Sequence, residues 1–215
     1  MDFITKIRTP FHEKFGVPRQ SLLIKEAQGL LSFPKNDFFM EAFRGIEESS
    51  HLWLIFEFHL IPAGDFNGLV RPPRFENKKK MGVYATRSPH RPNRLGMSVV
   101  EFISLEILTN QIVLKVGGVD LVDGTPILDI KPYVPYTDSI VNARSPFTEA
   151  PVFLPVKWLC DPVEKELIEK VIGIDPRPGQ DKASTAEFAI SLADYNVRFR
   201  FAGAHFEILS AEKIK

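Results

Sequence analysis

The sequence predicts a mainly β protein, a small β-barrel followed by a short α+β C-terminal appendage. Three observations carry this. Residues 51–60, HLWLIFEFHL, alternate Leu52, Leu54, Phe56, Phe58 and Leu60 against Trp53, Ile55, Glu57 and His59, a strand with one apolar face. SVVEFISLEIL (98–108) and QIVLKV (111–116) are further β-type runs joined by the turn pair Thr109-Asn110. Only two stretches read as helix, too few for a layered α/β fold.

Taken in order, NDFFMEAFRG (36–45) reads as a short helix with Asn36 as N-cap and Gly45 as stop. The strand at 51–60 and the pair at 98–116 follow. DGTPILDIKPYVPYTD (123–138) is part strand, although Pro126, Pro132 and Pro135 cannot donate to a ladder. In extended chain Asp129, Lys131 and Tyr133 share one face, while Leu128 and Ile130 point the other way. Composition changes after residue 148, so the barrel is assigned to 1–148 and the appendage to 149–215. The appendage opens with DPVEKELIEKVIG, where Asp161 suits a cap and Pro162 the first helical position. Val163, Leu167, Ile168, Val171 and Ile172 form the apolar stripe, which ends at Gly173. AEFAISL, NVRFRFAG and HFEILSAE then read as a three-strand meander.

Composition excludes several classes. The 215 residues contain no 18-residue apolar run and no charged-then-apolar leader, so neither a membrane span nor a secretory signal is expected. The single cysteine, Cys160, rules out an intramolecular disulfide and fits a reducing, cytoplasmic setting; beside Trp158 it reads as core. The glycine-rich dinucleotide, P-loop and nucleophile-elbow patterns are all absent. The five histidines lack ligand spacing, so no metal is expected.

Net charge is zero, but unevenly spread. From Arg71 to Arg94 there are eight Lys/Arg against one acid, a local charge of +7 punctuated by prolines. Such a run suits an anion or a nucleic-acid backbone. Three polar, conformationally stiff segments accompany it: FGVPRQSL; GVYATRSPHRPNRLG; and GGVDLVDGTPILDIKPYVPY. Stiff polar loops on a β scaffold point to a pre-formed site.

These blocks, with VPRQ, RGIEESSHLWLIFEFH and the later DPRP and NVRFR, resemble the TsaA-like tRNA methyltransferase family, also called TrmO. The likeness runs in order through nearly the whole chain, and ATRSPHRPN and DGTPILDIKPY are its most specific parts. It departs at Arg94, where the family pattern has a small residue or proline. The resemblance implies a small barrel that binds S-adenosylmethionine without a Rossmann fold. It also implies a homodimer, and N6-methylation of threonylcarbamoyladenosine next to the anticodon of threonine tRNA. On the same basis Pro18, Arg19, Gln20, Phe58, His59, Arg87, Met97, Asp120, Leu121, Val122 and Asp123 would contact the cofactor. Asp129, or Tyr133 as part of a relay, would accept the N6 proton, and Lys131 would hold the threonine carboxylate or lower the pKa of Tyr133. Arg71, Arg74, Lys78, Lys79, Lys80 and Arg91 would meet tRNA phosphates. Residue chemistry alone also fits a non-enzymatic nucleic-acid-binding barrel, or an S-adenosylmethionine-binding regulator, and makes Asp129–Lys131 a plain surface ion pair.

Overall fold

Along β3 (His51–Glu57) the side chains of Leu52, Leu54 and Phe56 are buried, while those between them are half-exposed. This is the expected alternation, and it sets which face of every neighbouring strand turns inward. The computed structural model describes residues 2–62, 64, 66, 68–70, 80–145, 151–177 and 184–214. Six strands close an all-antiparallel barrel in the order β1 (Thr5–Arg8), β2 (Gln28–Pro34), β7 (Gln111–Gly117), β6 (Leu95–Ile107), β3 and β8 (Pro126–Pro132). β1 pairs with both β2 and β8 and so shuts the ring. Closure leaves no open sheet edge, which satisfies the backbone without a covering layer. The interior is filled by inward residues such as Leu31, Phe33, Leu54, Val100, Leu114 and Ile127. Two short strands, β4 (Leu69–Val70) and β5 (Met81–Gly82), pair outside the barrel.

Asn36 caps the short helix α1 (Asp37–Ala42), its side chain accepting from Phe39 N at 2.9 Å. The helix ends before the expected stop: Phe43 is the C-cap, and Gly45, at φ +84°, instead opens a 3-10 turn at Ile46–Glu48. Pro126 and Pro132 sit at the two ends of β8, where a missing N–H interrupts least. A helical turn, α2 (Pro135–Asp138), follows.

The C-terminal part holds α3 (Lys165–Gly173) against a four-stranded sheet ordered β10 (Glu187–Leu192), β11 (Tyr195–Phe201), β12 (Phe206–Lys213), β9 (Val156–Trp158). Two details differ from the sequence reading. The sheet gains β9, which pairs parallel to β12 and is too short for alternation to announce it. The helix starts at Lys165, past Asp161-Pro162, because Glu164 takes a left-handed conformation (φ +40°) through which a right-handed helical turn cannot run. Leu167, Ile168, Val171 and Ile172 are buried as expected, and the apolar cluster runs from the barrel into this sheet. Among the described residues no helix is long and apolar enough to cross a membrane, and no group of three His, Cys, Asp or Glu is placed to hold a metal.

Candidate active site

β7 leaves the barrel at Gly117, and the next residues are shaped by close backbone packing. Gly118 sits at φ +72°, and a Cβ there would lie 3.0 Å from Leu22 Cα. Its carbonyl accepts from Leu22 N at 2.8 Å, which lays the Pro18–Leu22 loop on the strand exit. Val119 and Leu121 then turn into the core, so Asp120 between them points the other way. Asp120 as a residue is half-exposed, yet its Oδ1 is fully buried and has no hydrogen-bond partner. Burial pushes the carboxyl up to about 6, against the opposing pull of Ser98, backbone amides at Asp120 and Ser21, and the Arg87 guanidinium. Asp123 is used differently: its Oδ1 accepts from Thr9 N at 2.9 Å. Leu121 offers its buried side chain to the core and its carbonyl to Thr9 Oγ1, and Val122 O accepts from Thr125 Oγ1.

Arg87 is exposed and donates from Nη1 to Gln20 Oε1, bridging the second loop to the first. Its own loop is held by short side-chain bonds: Thr86 Oγ1 donates to Val83 O, and Ser88 N donates to Thr86 Oγ1. Arg91 spends Nη1 on the carbonyls of Val83 and Thr86 and lies over the exposed Tyr84 ring at 5.8 Å. Arg94, at φ +52°, pairs with Glu57 at 2.6 Å and takes Phe58 N on its carbonyl, so it fastens this loop to the end of β3. Phe58 packs edge-on to Phe56 at 5.2 Å. Gly96 makes room for that pair, since a Cβ there would meet the Phe56 ring at 2.3 Å. His59 is held below its ordinary value by burial and by the nearby charges of Lys6 and Lys14, with Glu57 opposing them.

Met97 (58% exposed) faces out of the barrel, opposite Ile55, which in turn faces Asp129. The next row is Val99, Trp53 and Lys131. Adjacent strands lie about 4.8 Å apart, so Met97 and the Asp129–Lys131 pair are about 10 Å apart on one surface. Lys131 Nζ is 3.1 Å from Asp129 Oδ2, both side chains at least half-exposed, and Asp129 Oδ1 accepts from Ile130 N at 2.9 Å. Tyr133 packs between Trp53 (5.8 Å) and His51 (6.4 Å). Trp53 Nε1 donates to Asp138 Oδ2, which also accepts from Val134 N, and these bonds hold the Asp138 carboxyl below the usual range.

The structure thus brings Arg87, Gln20 and Asp120 together through loops, and Met97, Asp129 and Lys131 together through strand register. Pro18 is buried and Arg19 half-buried in the same first loop. Lys80 is exposed, whereas Arg71, Arg74, Lys78 and Lys79 lie outside the described residues. Sequence reasoning missed Ser98, Trp53 and Asp138. Ser98 had a signal: it is a polar residue in the inward phase of β6, between Gly96 and Val100. The Trp53–Asp138 bond had none, because a contact across 85 residues leaves no local pattern.

Residues 6–139 match the family model described as the tRNA-methyltransferase O N-terminal domain, and 160–214 match the TrmO C-terminal domain. This chain belongs to the tRNA-methyltransferase O family. Among family members, an Escherichia coli protein named tRNA (adenine(37)-N6)-methyltransferase is 41% identical, over 96% of this chain and 94% of its own length. A Pyrococcus abyssi relative named "Probable S-adenosyl-L-methionine-binding protein" is 43% identical over 64% of this chain and 70% of its own. The crystal structure of TrmO from Pseudomonas aeruginosa superposes with a TM-score of 0.78 at 33% identity, covering 98% of this chain and 97% of that one. The residues at the barrel mouth suit the cofactor of such a family: a buried, unpartnered carboxylate oxygen on Asp120 is a receptor for positive charge, and Arg87 beside Gln20 is a receptor for a carboxylate.

Proposed function

We propose that this chain methylates N6 of threonylcarbamoyladenosine next to the anticodon of threonine tRNA, with S-adenosylmethionine as methyl donor. The observation that carries the reading is the unpartnered Asp120 Oδ1 in a mouth framed by Arg87 and Gln20, in a chain with a tRNA (adenine(37)-N6)-methyltransferase among its relatives. Bound there, the cofactor supplies an electrophilic methyl on a cationic sulfur. Asp120 would meet the positive charge of its amino-acid end, Arg87 would meet the carboxylate, and Phe58, His59 and Met97 would border the adenine. Most of the rate then comes from holding acceptor and donor in line.

The acceptor nitrogen belongs to a ureido group, a weak nucleophile until its proton leaves. Asp129 would take the N6 proton as that nitrogen receives the methyl group, with S-adenosylhomocysteine as the leaving product. In the free protein Asp129 is occupied by Lys131. A threonine carboxylate on the incoming nucleoside competes for Lys131, so the substrate itself releases the base. Tyr133, wedged between Trp53 and His51, orients the nucleoside beside them. Lys80, Arg91 and the basic residues 71–79 carry the phosphate contacts, and the working form is a cytoplasmic homodimer.

The test is mass spectrometry of tRNA nucleosides from cells lacking the gene. Loss of methylated threonylcarbamoyladenosine, restored by the wild-type gene, supports the reading. Unchanged nucleosides, with cofactor still bound by the purified protein, would leave the regulator in its place.

A further inference from the structure

The segment Thr9–Glu13 is bonded on two sides to parts of the chain that do not otherwise meet in sequence. Toward the barrel mouth, Thr9 N donates to Asp123 Oδ1 at 2.9 Å and Thr9 Oγ1 donates to Leu121 O at 2.9 Å. Asp123 N donates to Phe11 O at 2.8 Å. Toward the C-terminal sheet, Ala193 N donates to Pro10 O at 2.8 Å, and His12 Nε2 lies 2.7 Å from Ala193 O. Ser191 N donates to Glu13 Oε1 at 2.9 Å, and Phe11 bridges Leu192 with both side chains buried. Ala193 stands at φ +50°, in a conformation that favours glycine, with its N–H on Pro10 O and its carbonyl on His12.

We propose that Thr9–Glu13 is a strap through which the C-terminal sheet sets the position of the Asp120 loop, so that Thr9, His12 and Glu13 are positioning residues for the cofactor. The inference rests on the reading of Asp120 as a cofactor contact. Asp120 is flanked by two fixed points: Gly118, bonded to Leu22, and Leu121, bonded to Thr9. The second is fixed by the strap, and the strap by β10 and its turn. Among the described residues, no side-chain hydrogen bond or ion pair joins the C-terminal sheet to Gln20, Arg87, Asp120, Asp129 or Lys131; its action on the mouth runs through shared backbone. Loosening the strap lets the loop that presents a buried carboxylate drift, and charge complementarity at short range tolerates little drift.

The experiment uses the full chain, titrated calorimetrically with S-adenosylhomocysteine. Glu13 is exposed, and Thr9→Val keeps the shape of a buried side chain while removing the hydroxyl that donates to Leu121 O and accepts from Phe11 N, so Tm is measured beside Kd for every variant. Glu13→Ala and Thr9→Val should each raise Kd roughly threefold to thirtyfold, with kcat at saturating S-adenosylmethionine unchanged. Glu13→Gln and Thr9→Ser keep the acceptor and the hydroxyl and should restore Kd to wild type. The Thr9→Val/Glu13→Ala pair should fall short of the product of the single effects, since both act on one loop. Amide exchange at Asp123 and Gly124 should rise in Glu13→Ala without any ligand. Arg177→Met, which disturbs the C-terminal sheet away from the strap, should lower Tm and leave Kd alone. Lowered Tm with Kd and exchange unchanged in the strap variants overturns the strap. A wild-type chain that does not bind S-adenosylhomocysteine overturns the cofactor reading itself.

Discussion

Asp120 carries a cost in the free protein that a cationic ligand removes. Its carboxyl titrates at about 6 when folded, against an ordinary value of 3.8. Between these values the native chain holds a proton that the unfolded chain has lost. The stabilising contribution is complete below pH 3.8 and is lost as pH rises through 6, where ionised Asp120 costs about 3 kcal/mol. Asp120→Asn keeps the shape without the charge, so its Tm should exceed wild type at pH 8 and match it at pH 4. The same change should weaken S-adenosylhomocysteine binding roughly tenfold to a hundredfold, the span for a lost charged hydrogen bond. Wild-type affinity should strengthen as pH rises from 5 to 7; no stability gain at pH 8 in Asp120→Asn would refute the assignment. Asp129 makes the complementary case. Its ion pair with Lys131 is largely exposed, and such pairs contribute about 0–1 kcal/mol. Asp129→Asn should therefore leave Tm nearly unchanged while lowering methyl transfer roughly 10²–10⁴-fold if Asp129 is the base. Wild-type turnover in Asp129→Asn and Tyr133→Phe would return this strand to scaffold.

At the scale of elements, buried polar anchors decide which local signals survive. Arg177 is 1% exposed, with Nε 2.8 Å from Asp175 Oδ1 and its guanidinium 4.4 Å from the Phe201 ring centre and 5.1 Å from that of Phe206. It fastens the loop after α3 to the β11–β12 hairpin. Removing Asp175 takes charged hydrogen bonds from the buried guanidinium, which keeps its bond to Ser184 O and its two rings; losing bonds of that kind costs about 1.5–3 kcal/mol. Asp175→Ala should thus lower stability by that amount and raise protease cleavage in 160–214, and Arg177→Lys should not restore it, because lysine lacks the planar fork and the ring stacking. A change below 1 kcal/mol would mean the pair is not holding this hairpin. The same scale explains what the pattern of residues revealed. Alternation exposed β3, β-type composition exposed β6 and β7, and Asn36 marked the start of α1, because these signals are local. The start of α3 was not legible, since nothing local in the sequence marks Glu164 as left-handed. Neither were β1 and β9, at four and three residues, because strands so short take their pairing from neighbours rather than from alternation.

Over the whole molecule, the site divides into what composition could announce and what only closure of the barrel could. The stiff loops were visible in their prolines and glycines. The strand register that sets Met97, Ile55 and Asp129 in one row was not, because it depends on β6 and β8 both choosing β3 as neighbour. The strap was invisible for the same reason: Thr9 and Asp123 are 114 residues apart. Charge is the whole-molecule property most open to direct reading. A neutral chain with +7 concentrated in residues 71–94 has one basic end to its charge pattern, and Arg87, within that run, helps to form the mouth. A polyanion approaching that end releases one condensed counterion for each phosphate neutralised, so tRNA affinity should fall steeply with salt. Replacing Lys78, Lys79 and Lys80 by alanine should reduce the slope of log Kd against log salt by about two to three. Arg91 should behave differently, because its Nη1 is bonded to Val83 O and Thr86 O. Arg91→Ala should loosen the turn that displays Tyr84 and lower kcat, with a slope change of no more than about one. If the triple-lysine variant binds tRNA with the wild-type slope, the basic run is solvated surface and the tRNA is held elsewhere on the barrel.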